Sequence, residues 1–562
     1  MAFPMVACTG GSSGWREGGL ANAEEFGHGR SAAAAYLVGR HALEIGRIEE
    51  AARNFERAAR ADPYNVELRR QAFLLLLASG DFERARQHAR ELVELETGVD
   101  EARLLLAVSE AAAGRFQAAR EQLARLGGRG PLGAVAPLLR AWARAGTGDL
   151  DAALELLERG GRDDPLGLLR TYHRALVSAR AGRTDQAREL LAGLVRPEES
   201  LPLRPLMALL ALDVAAGERE RALARLAEHR KRAGDQPALA ELEVQIRSGG
   251  QIWQPVRDPA EGMADALLGL AQLLREQRMG AQALAFARLA GFLAPEAGDV
   301  WLTVGRIRRD QGDHEAAVEA FRRVGEPSLF YLEAQVAMAE ALRDQGRAEE
   351  ATRLLRSLAQ SRPERIEPLV TLGDLMRRDE RWAEAIEAYT EAIRRLGEPQ
   401  RPHWRLFYVR GIAFERAKRW PEAEADFLRA LDLQPDQPFV LNYLGYSWVD
   451  QGVNLERAKA MLHRAVELRS QDGYIVDSLG WAYFKLGDYQ KAVEYLERAV
   501  ELEPGDPTIN DHLGDAYWRV GRFREARFQW QRALGLGPEK DAIAAINEKL
   551  EKGLPEPDAR RG

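Results

Sequence analysis

Residues 479–504 read LGWAYFKLGDYQKAVEYLERAVELEP, and residues 513–538 read LGDAYWRVGRFREARFQWQRALGLGP. The second stretch repeats the first at a constant shift of 34 residues (513 − 479), with Leu-Gly, Tyr, Ala and Pro at matching positions. A fixed period of this length predicts an array in which each repeat is one supersecondary unit. The apolar residues within each stretch recur at the spacing of one helical face. The chain is therefore predicted to be all-α and built from stacked helix pairs.

Each predicted unit contains two helices joined by a tight turn. Gly480 in the first helix lets the second helix approach closely, and the turn at 486–489 (Leu-Gly-Asp-Tyr) places a glycine where a left-handed cap is needed. Pro504 ends the second helix, because proline cannot continue the hydrogen-bond ladder. One helix pair cannot bury its apolar face alone, so each unit depends on its neighbours.

The period extends through most of the chain. Units are predicted to begin near residues 32, 66, 100, 134, 168, 203, 264, 298, 332, 366, 404 and 438, followed by the two quoted units, which gives about fourteen repeats. A short predicted helix and a Gly/Pro-rich stretch interrupt the period at 237–263. The predicted domains are a flexible tether at 1–31, a degenerate array at 32–236, the joint at 237–263, a second array at 264–540, a capping helix at 541–552 and a disordered tail at 553–562.

Composition limits the classes of partner. The 562 residues carry a net charge of −7 with both signs interspersed, whereas a nucleic-acid-binding surface needs clustered, unmatched Lys and Arg. No stretch approaches the roughly 20 apolar residues of a membrane-spanning helix. We therefore expect protein partners, no nucleic acid, and membrane attachment only through a lipid.

The recurring residue types resemble the tetratricopeptide repeat (TPR) over about residues 32–540. The N-terminal units are degenerate, since their Tyr and Trp positions hold Ala, Arg or Leu. The resemblance implies a right-handed α–α superhelix whose first helices line a concave groove. It also implies a protein-binding scaffold, with the N-terminal half serving as a spacer or second docking surface.

By the same resemblance, fixed positions of each first helix face the groove. Aromatic side chains at such positions suit an extended peptide or a partner helix, because aromatic anchors dominate interface energetics. We therefore predict a partner-binding groove with an aromatic and acidic lining, formed by Tyr408, Asn442, Tyr446, Tyr474, Asp477, Trp481, Phe484, Asp511, Asp515 and Trp518. The acidic residues favour basic or neutral partner segments over a C-terminal carboxylate.

The sequence contains no convincing catalytic or metal-binding motif. Gly128, Gly130 and Gly133 match G-x-G-x-x-G, but Pro131 lies inside the match and no strand precedes it. The nine histidines are scattered without spaced carboxylate or cysteine partners. We therefore expect a non-enzymatic protein without catalytic residues, cofactor or metal.

The N-terminus contains one candidate modification site. Met5-Val6-Ala7-Cys8 resembles a bacterial lipobox, in which the cysteine becomes lipidated, and the Gly/Ser-rich stretch after it resembles a lipoprotein tether. No basic and apolar signal region precedes Cys8, so either the start lies upstream or the match is accidental. The alternative is an unpaired cysteine in a flexible arm.

The C-terminal third resembles bacterial envelope TPR lipoproteins, on the segments 441–446 (LNYLGY), 477–481 (DSLGW) and 512–518 (HLGDAYW). These lipoproteins include adaptors of carboxyl-terminal processing proteases. The resemblance implies a periplasm-facing, outer-membrane scaffold or adaptor for a protease or an assembly machine. The alternative is a soluble cytoplasmic TPR scaffold of a co-chaperone-like kind, and the oligomeric state is open.

Overall fold

The structure is a computed structural model that describes residues 31–45, 47–95, 99–127, 130–159, 166–194, 201–234, 236–249 and 252–555. These residues form thirty α-helices and no β-strand, which confirms the all-α prediction. By contacts the chain divides into two compact units, Met1–Leu358 and Ala359–Gly562. None of the described helices is both long enough and apolar enough to cross a membrane.

Twenty-eight of the described helices form fourteen consecutive pairs, and α13 and α30 stand outside the pairs. The helices that precede the predicted second array are α1 (Ala32–Glu44), α2 (Ile48–Ala61), α3 (Val66–Ser79), α4 (Phe82–Glu94), α5 (Asp100–Ala112), α6 (Phe116–Ala124), α7 (Gly130–Gly146), α8 (Leu150–Glu158), α9 (Gly167–Arg180), α10 (Thr184–Ala192), α11 (Leu203–Ala215), α12 (Arg219–Ala233) and α13 (Pro237–Ser248).

The helices of the remaining repeats are α14 (Pro259–Glu276), α15 (Gly280–Leu293), α16 (Gly298–Asp310), α17 (His314–Arg322), α18 (Tyr331–Asp344), α19 (Ala348–Ser361), α20 (Glu367–Arg378), α21 (Trp382–Leu396), α22 (Trp404–Arg416), α23 (Trp420–Leu433), α24 (Pro438–Gln451), α25 (Leu455–Leu468), α26 (Gly473–Lys485), α27 (Tyr489–Leu502), α28 (Pro507–Arg519), α29 (Phe523–Gly535) and α30 (Lys540–Lys552). A short 3-10 helix, Arg401–His403, precedes α22.

The predicted repeat starts agree closely with the first helix of each pair, which confirms about fourteen repeats. The largest differences are at residue 130 instead of 134 and at residue 259 instead of 264. The earlier start of α14 has a local cause, because Asp258 caps the helix and Pro259 stands in its first turn.

Glycines set how closely the two helices of a pair approach. A Cβ placed on Gly514 of α28 would lie 2.5 Å from the indole of Trp530 on α29, and the indole is fully buried. Gly373 and Tyr389 occupy the equivalent positions in α20 and α21 and make the same close contact. The turn glycine Gly487 has φ +82°, a left-handed conformation that glycine adopts without strain. The small residue and the large one opposite it form the core of each repeat.

The chain after 237–263 folds back on the N-terminal repeats. Helices α14 and α15 pack against the first helices α3, α5, α7 and α9. The predicted second docking surface in this half is therefore wrong for these four helices, because the chain itself covers them. The contact division between compact units falls at Leu358, within α19, and not at the predicted joint.

The C-terminal end also differs from expectation at two points. The helix expected at 541–552 begins one residue earlier, at Lys540, with Ile546 buried and Ile543 exposed. Residues 553–555, expected to be disordered, pack on α28. The remainder of the predicted tail and residues 1–30 of the predicted tether lie outside the described residues.

Candidate partner-binding surface

The first helices of the last three repeats lie side by side, because α24 contacts α26 and α26 contacts α28. The shared repeat period brings equivalent positions of these helices next to each other. These positions are Asn442 and Tyr446 on α24, Asp477 and Trp481 on α26, and Asp511 and Asp515 on α28. The structure therefore brings most of the predicted groove residues into one region.

Trp481 lies at the centre of this region and is half-buried. Its indole stacks on Phe484, with ring centroids 4.7 Å apart and planes 8° from parallel. It also stacks on the imidazole of His512 from α28, at 4.0 Å and 14°. The ammonium of Lys485 lies 5.9 Å from the indole centroid and pairs with Asp450 at 3.3 Å. These contacts hold Trp481 in one orientation without burying it completely.

Asp477 supports Trp481 from inside the repeat and does not face an open groove. Its carboxylate lies 3.0 and 3.1 Å from Nδ1 of His512, and both side chains are buried. Burial lowers the pKa of His512, but the charge and hydrogen bonds of Asp477, with the charges of Asp515 and Asp511, raise it overall above its usual value. The predicted exposure of Asp477 is therefore wrong, because the histidine of the next repeat takes its carboxylate.

Tyr446 and Asn442 lie one turn apart on α24, beside this cluster. Burial raises the pKa of Tyr446 to about 12, and the nearby charges of Asp477 and Asp450 add to the increase. The side-chain Oδ1 of Asn442 is buried and accepts no hydrogen bond from any described residue. A buried acceptor without a donor is costly, and this oxygen has almost no surface that a partner could contact.

The open edge of the surface consists of aromatic rings. Tyr474, at the start of α26, is 56% exposed, and Phe439, at the start of α24, is 40% exposed. The guanidinium of Arg469 lies 4.9 Å from the Phe439 ring centroid. Together with Tyr446, Trp481 and Phe484, these rings form a surface that we call the aromatic surface. Contiguous exposed apolar area is a feature of interaction sites, so the aromatic surface is the candidate site.

Tyr408 does not belong to the aromatic surface. It packs among the rings of Trp404, Phe427 and Tyr443, with centroids 6.0 to 6.1 Å away, and burial raises its pKa. These rings, two from its own repeat and one from α24, fill the space that the pattern assigned to a ligand. Tyr408 is half-buried, and its predicted place in the groove is corrected to a place among these rings.

The acidic residues of the last repeat are covered by α30. The Nζ of Lys549 lies 2.9 and 2.8 Å from the two carboxylate oxygens of Asp511 and 2.9 Å from Asp515. Asp515 also accepts a hydrogen bond from the buried indole N–H of Trp530 at 2.9 Å. Burial raises the pKa of Asp515 in spite of the lysine. Asp511 and Asp515 are thus paired inside the chain and are not free acidic groups.

Trp518 is covered in the same way. The backbone of Gly553 lies so close to it that a Cβ at this position would overlap the indole ring. On its other sides Trp518 contacts the rings of Phe523 at 4.6 Å and Trp530 at 5.4 Å. The exposure predicted from repeat phase is therefore wrong for Trp518, because the residues after α30 lie on it.

The corresponding surface of the N-terminal repeats is filled by α14. The indole N–H of Trp142 on α7 donates to Nδ1 of His173 on α9 at 2.9 Å, and both are fully buried. Gly262 of α14 lies flat against this indole, so a Cβ there would overlap the ring. Arg204 forms buried ion pairs with Asp265 of α14 and with Asp299. This polar cluster fixes α14 against the first helices.

The remaining predictions about sites concern lipid and metal. Cys8 lies outside the described residues. Within the described ranges, no group of three or more His, Cys, Asp and Glu side chains is placed to hold a metal ion.

Sequence reasoning missed His512 and Lys549. His512 stands inside the quoted HLGDAYW segment, and the histidine has no counterpart in the preceding repeat, where Ser478 stands 34 residues earlier (512 − 478). That break in the repeat pattern was the available signal. Lys549 lies beyond the repeats, so no periodicity relates it to Asp511.

Family comparisons agree with this architecture. Family models described as tetratricopeptide repeat match residues 20–66, 76–141, 298–324, 370–438 and 478–506. A stretch of 193 residues is 25% identical to the TPR repeat-containing protein PA4667 of Pseudomonas aeruginosa, and it covers 34% of this chain. The match spans only 32% of the length of that relative.

Solved structures that match the chain include Cut9 in the APC/C hetero-tetramer Cut9-Hcn1, at 15% identity and a TM-score of 0.39. That likeness covers 93% of this chain and 96% of the other. Yeast Tom70 is similar at 13% identity and a TM-score of 0.33, covering 93% of this chain and 95% of the other. The described helices form fourteen pairs, and tetratricopeptide-repeat models match segments in both halves, so the chain contains tetratricopeptide repeats.

Proposed function

We propose that the protein is a non-catalytic scaffold that binds a partner protein on the aromatic surface of α24 and α26. Repeats of this family serve protein–protein interaction, which is the coarse function of the chain. The observation that supports the finer proposal is the contrast between covered and uncovered first helices. The chain covers α3, α5, α7 and α9 with α14 and α15, and the acidic residues of α28 with Lys549. The rings of α24 and α26 stay partly exposed.

The chemistry of this surface suits a segment with an apolar side chain. The apolar side chain would pack on Trp481, Phe484 and Tyr474, where aromatic area supplies most of the binding free energy.

Affinity capture from the native cell tests the proposal. Trp481→Ala removes the central ring and is expected to reduce a captured partner at least about tenfold, the effect of losing roughly 1.4 kcal/mol. Phe528→Ala is the matched control, because Phe528 is 60% exposed on the second helix α29. Both variants are checked for helicity. An unchanged capture profile for Trp481→Ala would exclude the aromatic surface as the binding site.

We also propose that the scaffold is an envelope lipoprotein attached through Cys8 and acts as an adaptor for a protease or an assembly machine. The support is the lipobox-like Met5-Val6-Ala7-Cys8 and the resemblance of the C-terminal repeats to envelope lipoproteins. The native gene product, translated from its natural start, is expected to incorporate labelled palmitate, and Cys8→Ser is expected to lose the label. A cytoplasmic scaffold would give no label in either protein.

A further inference from the structure

The C-terminal helix α30 has a small apolar contact with the repeats. Ile546 is its only buried residue, and Ile543 is exposed. Its helix neighbour is α29, while its charged contact reaches across to α28. By comparison, α26 contributes nine buried residues to the array. Elements with few buried apolar contacts open at low free energy, without unfolding of the rest.

The contacts that α30 does make resemble the recognition of a ligand. Lys549 places its ammonium between Asp511 and Asp515, with all three side chains largely buried (18%, 19% and 7% exposed). Asp511 and Asp515 are one turn apart on α28. Without a cation, two carboxylates at this spacing repel each other, so the pair requires a positive partner.

A second contact follows one turn later. Gly553 lies against the indole of Trp518, and its φ of +72° carries the chain across the ring. Arg519 then donates a hydrogen bond to the carbonyl of Pro555 at 2.6 Å. Only a residue without a Cβ can make this approach. The surface formed by Asp511, Asp515 and Trp518 therefore accommodates a lysine, Lys549, and a glycine four residues later, Gly553.

We propose that this surface is a binding site for a helix of another protein that presents a lysine followed by a small residue, and that α30 is the intrachain occupant that such a helix displaces. The aromatic surface lies on the neighbouring helix α26, so a partner seated there extends naturally onto α28. The proposal goes beyond the scaffold function described above, because it holds whether or not Trp481 takes part in binding.

A peptide in place of the partner tests the proposal on the full chain. The probe is a synthetic peptide of residues 538–555, and the receptor is the chain carrying Lys549→Glu, which repels α30 from the two carboxylates. The variant is expected to bind the peptide at least about tenfold more tightly than the wild type, where α30 occupies the site. Lys552→Glu is the matched control, because Lys552 is 70% exposed and pairs only with Glu548 in the described contacts; it is expected to bind like the wild type.

A folded Lys549→Glu chain that does not bind the peptide would overturn the proposal and leave α30 as a structural cap only. The same holds if a peptide carrying Lys549→Glu binds equally well. A concentration-dependent dimer of the wild type that Lys549→Glu abolishes would also overturn it, because the site would then take α30 of a second copy.

Hydrogen exchange on the wild type gives a test that needs no variant. Amides of α30 are expected to exchange at least about tenfold faster than those of α28, because α30 opens while the repeats stay folded. Equal protection of the two helices would show that α30 does not open independently, and would contradict the proposal.

Discussion

The indole of Trp481 stacks on the imidazole of His512 across two consecutive repeats, with ring centroids 4.0 Å apart. Asp477, from the same helix as Trp481, binds the same imidazole at Nδ1. The ring at the centre of the aromatic surface is thus supported by a buried histidine and its carboxylate.

Asp477→Asn is expected to lower the pKa of His512. Burial lowers the native pKa, but the charge and hydrogen bonds of Asp477, with the charges of Asp515 and Asp511, raise it overall, and the amide removes the charge of Asp477. Proton resonances of the imidazole measured against pH, assigned with His512→Gln, give both values. Identical pKa values of His512 in the two proteins would show that Asp477 does not stabilise the protonated imidazole.

The same shift makes the stability of the last repeats depend on pH. A histidine with a raised native pKa stabilises the fold fully below its unfolded pKa of about 6.5, and this stabilisation is lost as the pH rises through the native pKa. The protection of α28 amides, corrected for intrinsic exchange, is therefore expected to fall over that range in the wild type. Asp477→Asn is expected to show a smaller fall.

The stability of the compact unit Met1–Leu358 is expected to depend on pH in the opposite direction. Burial, with the charge of Arg204, lowers the pKa of His173 to about 3, while an unfolded histidine titrates near 6.5. Between these values the unfolded chain binds more protons, so stability falls as the pH falls below 6.5, by about 1.4 kcal/mol per pH unit.

His173→Gln is the variant that isolates this effect, because its amide oxygen can still accept the hydrogen bond of Trp142. Protection of α7 and α9 amides at pH 7 and pH 5 measures the dependence, with the buried Tyr172 and Asp265 present in both proteins. If the wild type and His173→Gln lose equal amounts of amide protection between pH 7 and pH 5, His173 is excluded as the titrating group.

Gly262→Ala is expected to destabilise the N-terminal unit, although alanine is the better helix former. The added methyl group would overlap the indole of Trp142, and overpacking of this kind costs about 1–3 kcal/mol. Thermal unfolding measures the change. Gly535→Ala is the control, since that glycine ends α29 with open space around its Cα and is expected to be neutral or stabilising. A gain in melting temperature for Gly262→Ala would contradict the close packing of α14 on α7.

Lys418→Gly is expected to stabilise the chain. Lys418 occupies the turn position with φ +60°, where other repeats have glycine, as at Gly487. The left-handed conformation costs a side-chain-bearing residue roughly 1–2 kcal/mol, and the greater freedom of glycine in the unfolded chain offsets part of this, so the net gain is about 0.5–1 kcal/mol. Urea unfolding tests the sign, with Gly487→Ala expected to change stability in the opposite direction.

The repeats could be predicted because their determinants are local and periodic. Gly514 and Trp530 are close since each repeat places a small residue opposite a large one, and the same spacing recurs at Gly373 and Tyr389. A pattern with a fixed period therefore gives the helix pairs and the equivalent positions on first helices. It does not give what lies above those positions.

The covered surfaces could not be predicted, because the contacts that cover them join elements outside the period. Gly262 meets Trp142 only because α14 returns to the N-terminal repeats, and Lys549 meets Asp515 only because α30 crosses α28. Repeat phase placed Asp515 in an open groove, and nothing in the period indicated that Lys549 would cover it. The positions of α14 and α30 determine which part of the first-helix surface stays available to a partner.

Site-specific photo-crosslinking tests directly whether partners bind on the aromatic surface. A photoreactive phenylalanine replaces Tyr474 in the native cell, with matched replacements at Phe528 on α29 and at Tyr64, which is 95% exposed in the N-terminal unit. The scaffold account predicts a specific crosslinked protein at 474, absent at the two control positions and lost when Trp481→Ala is added. Equal crosslinking at all three positions, or a product at 474 that Trp481→Ala leaves unchanged, would contradict it.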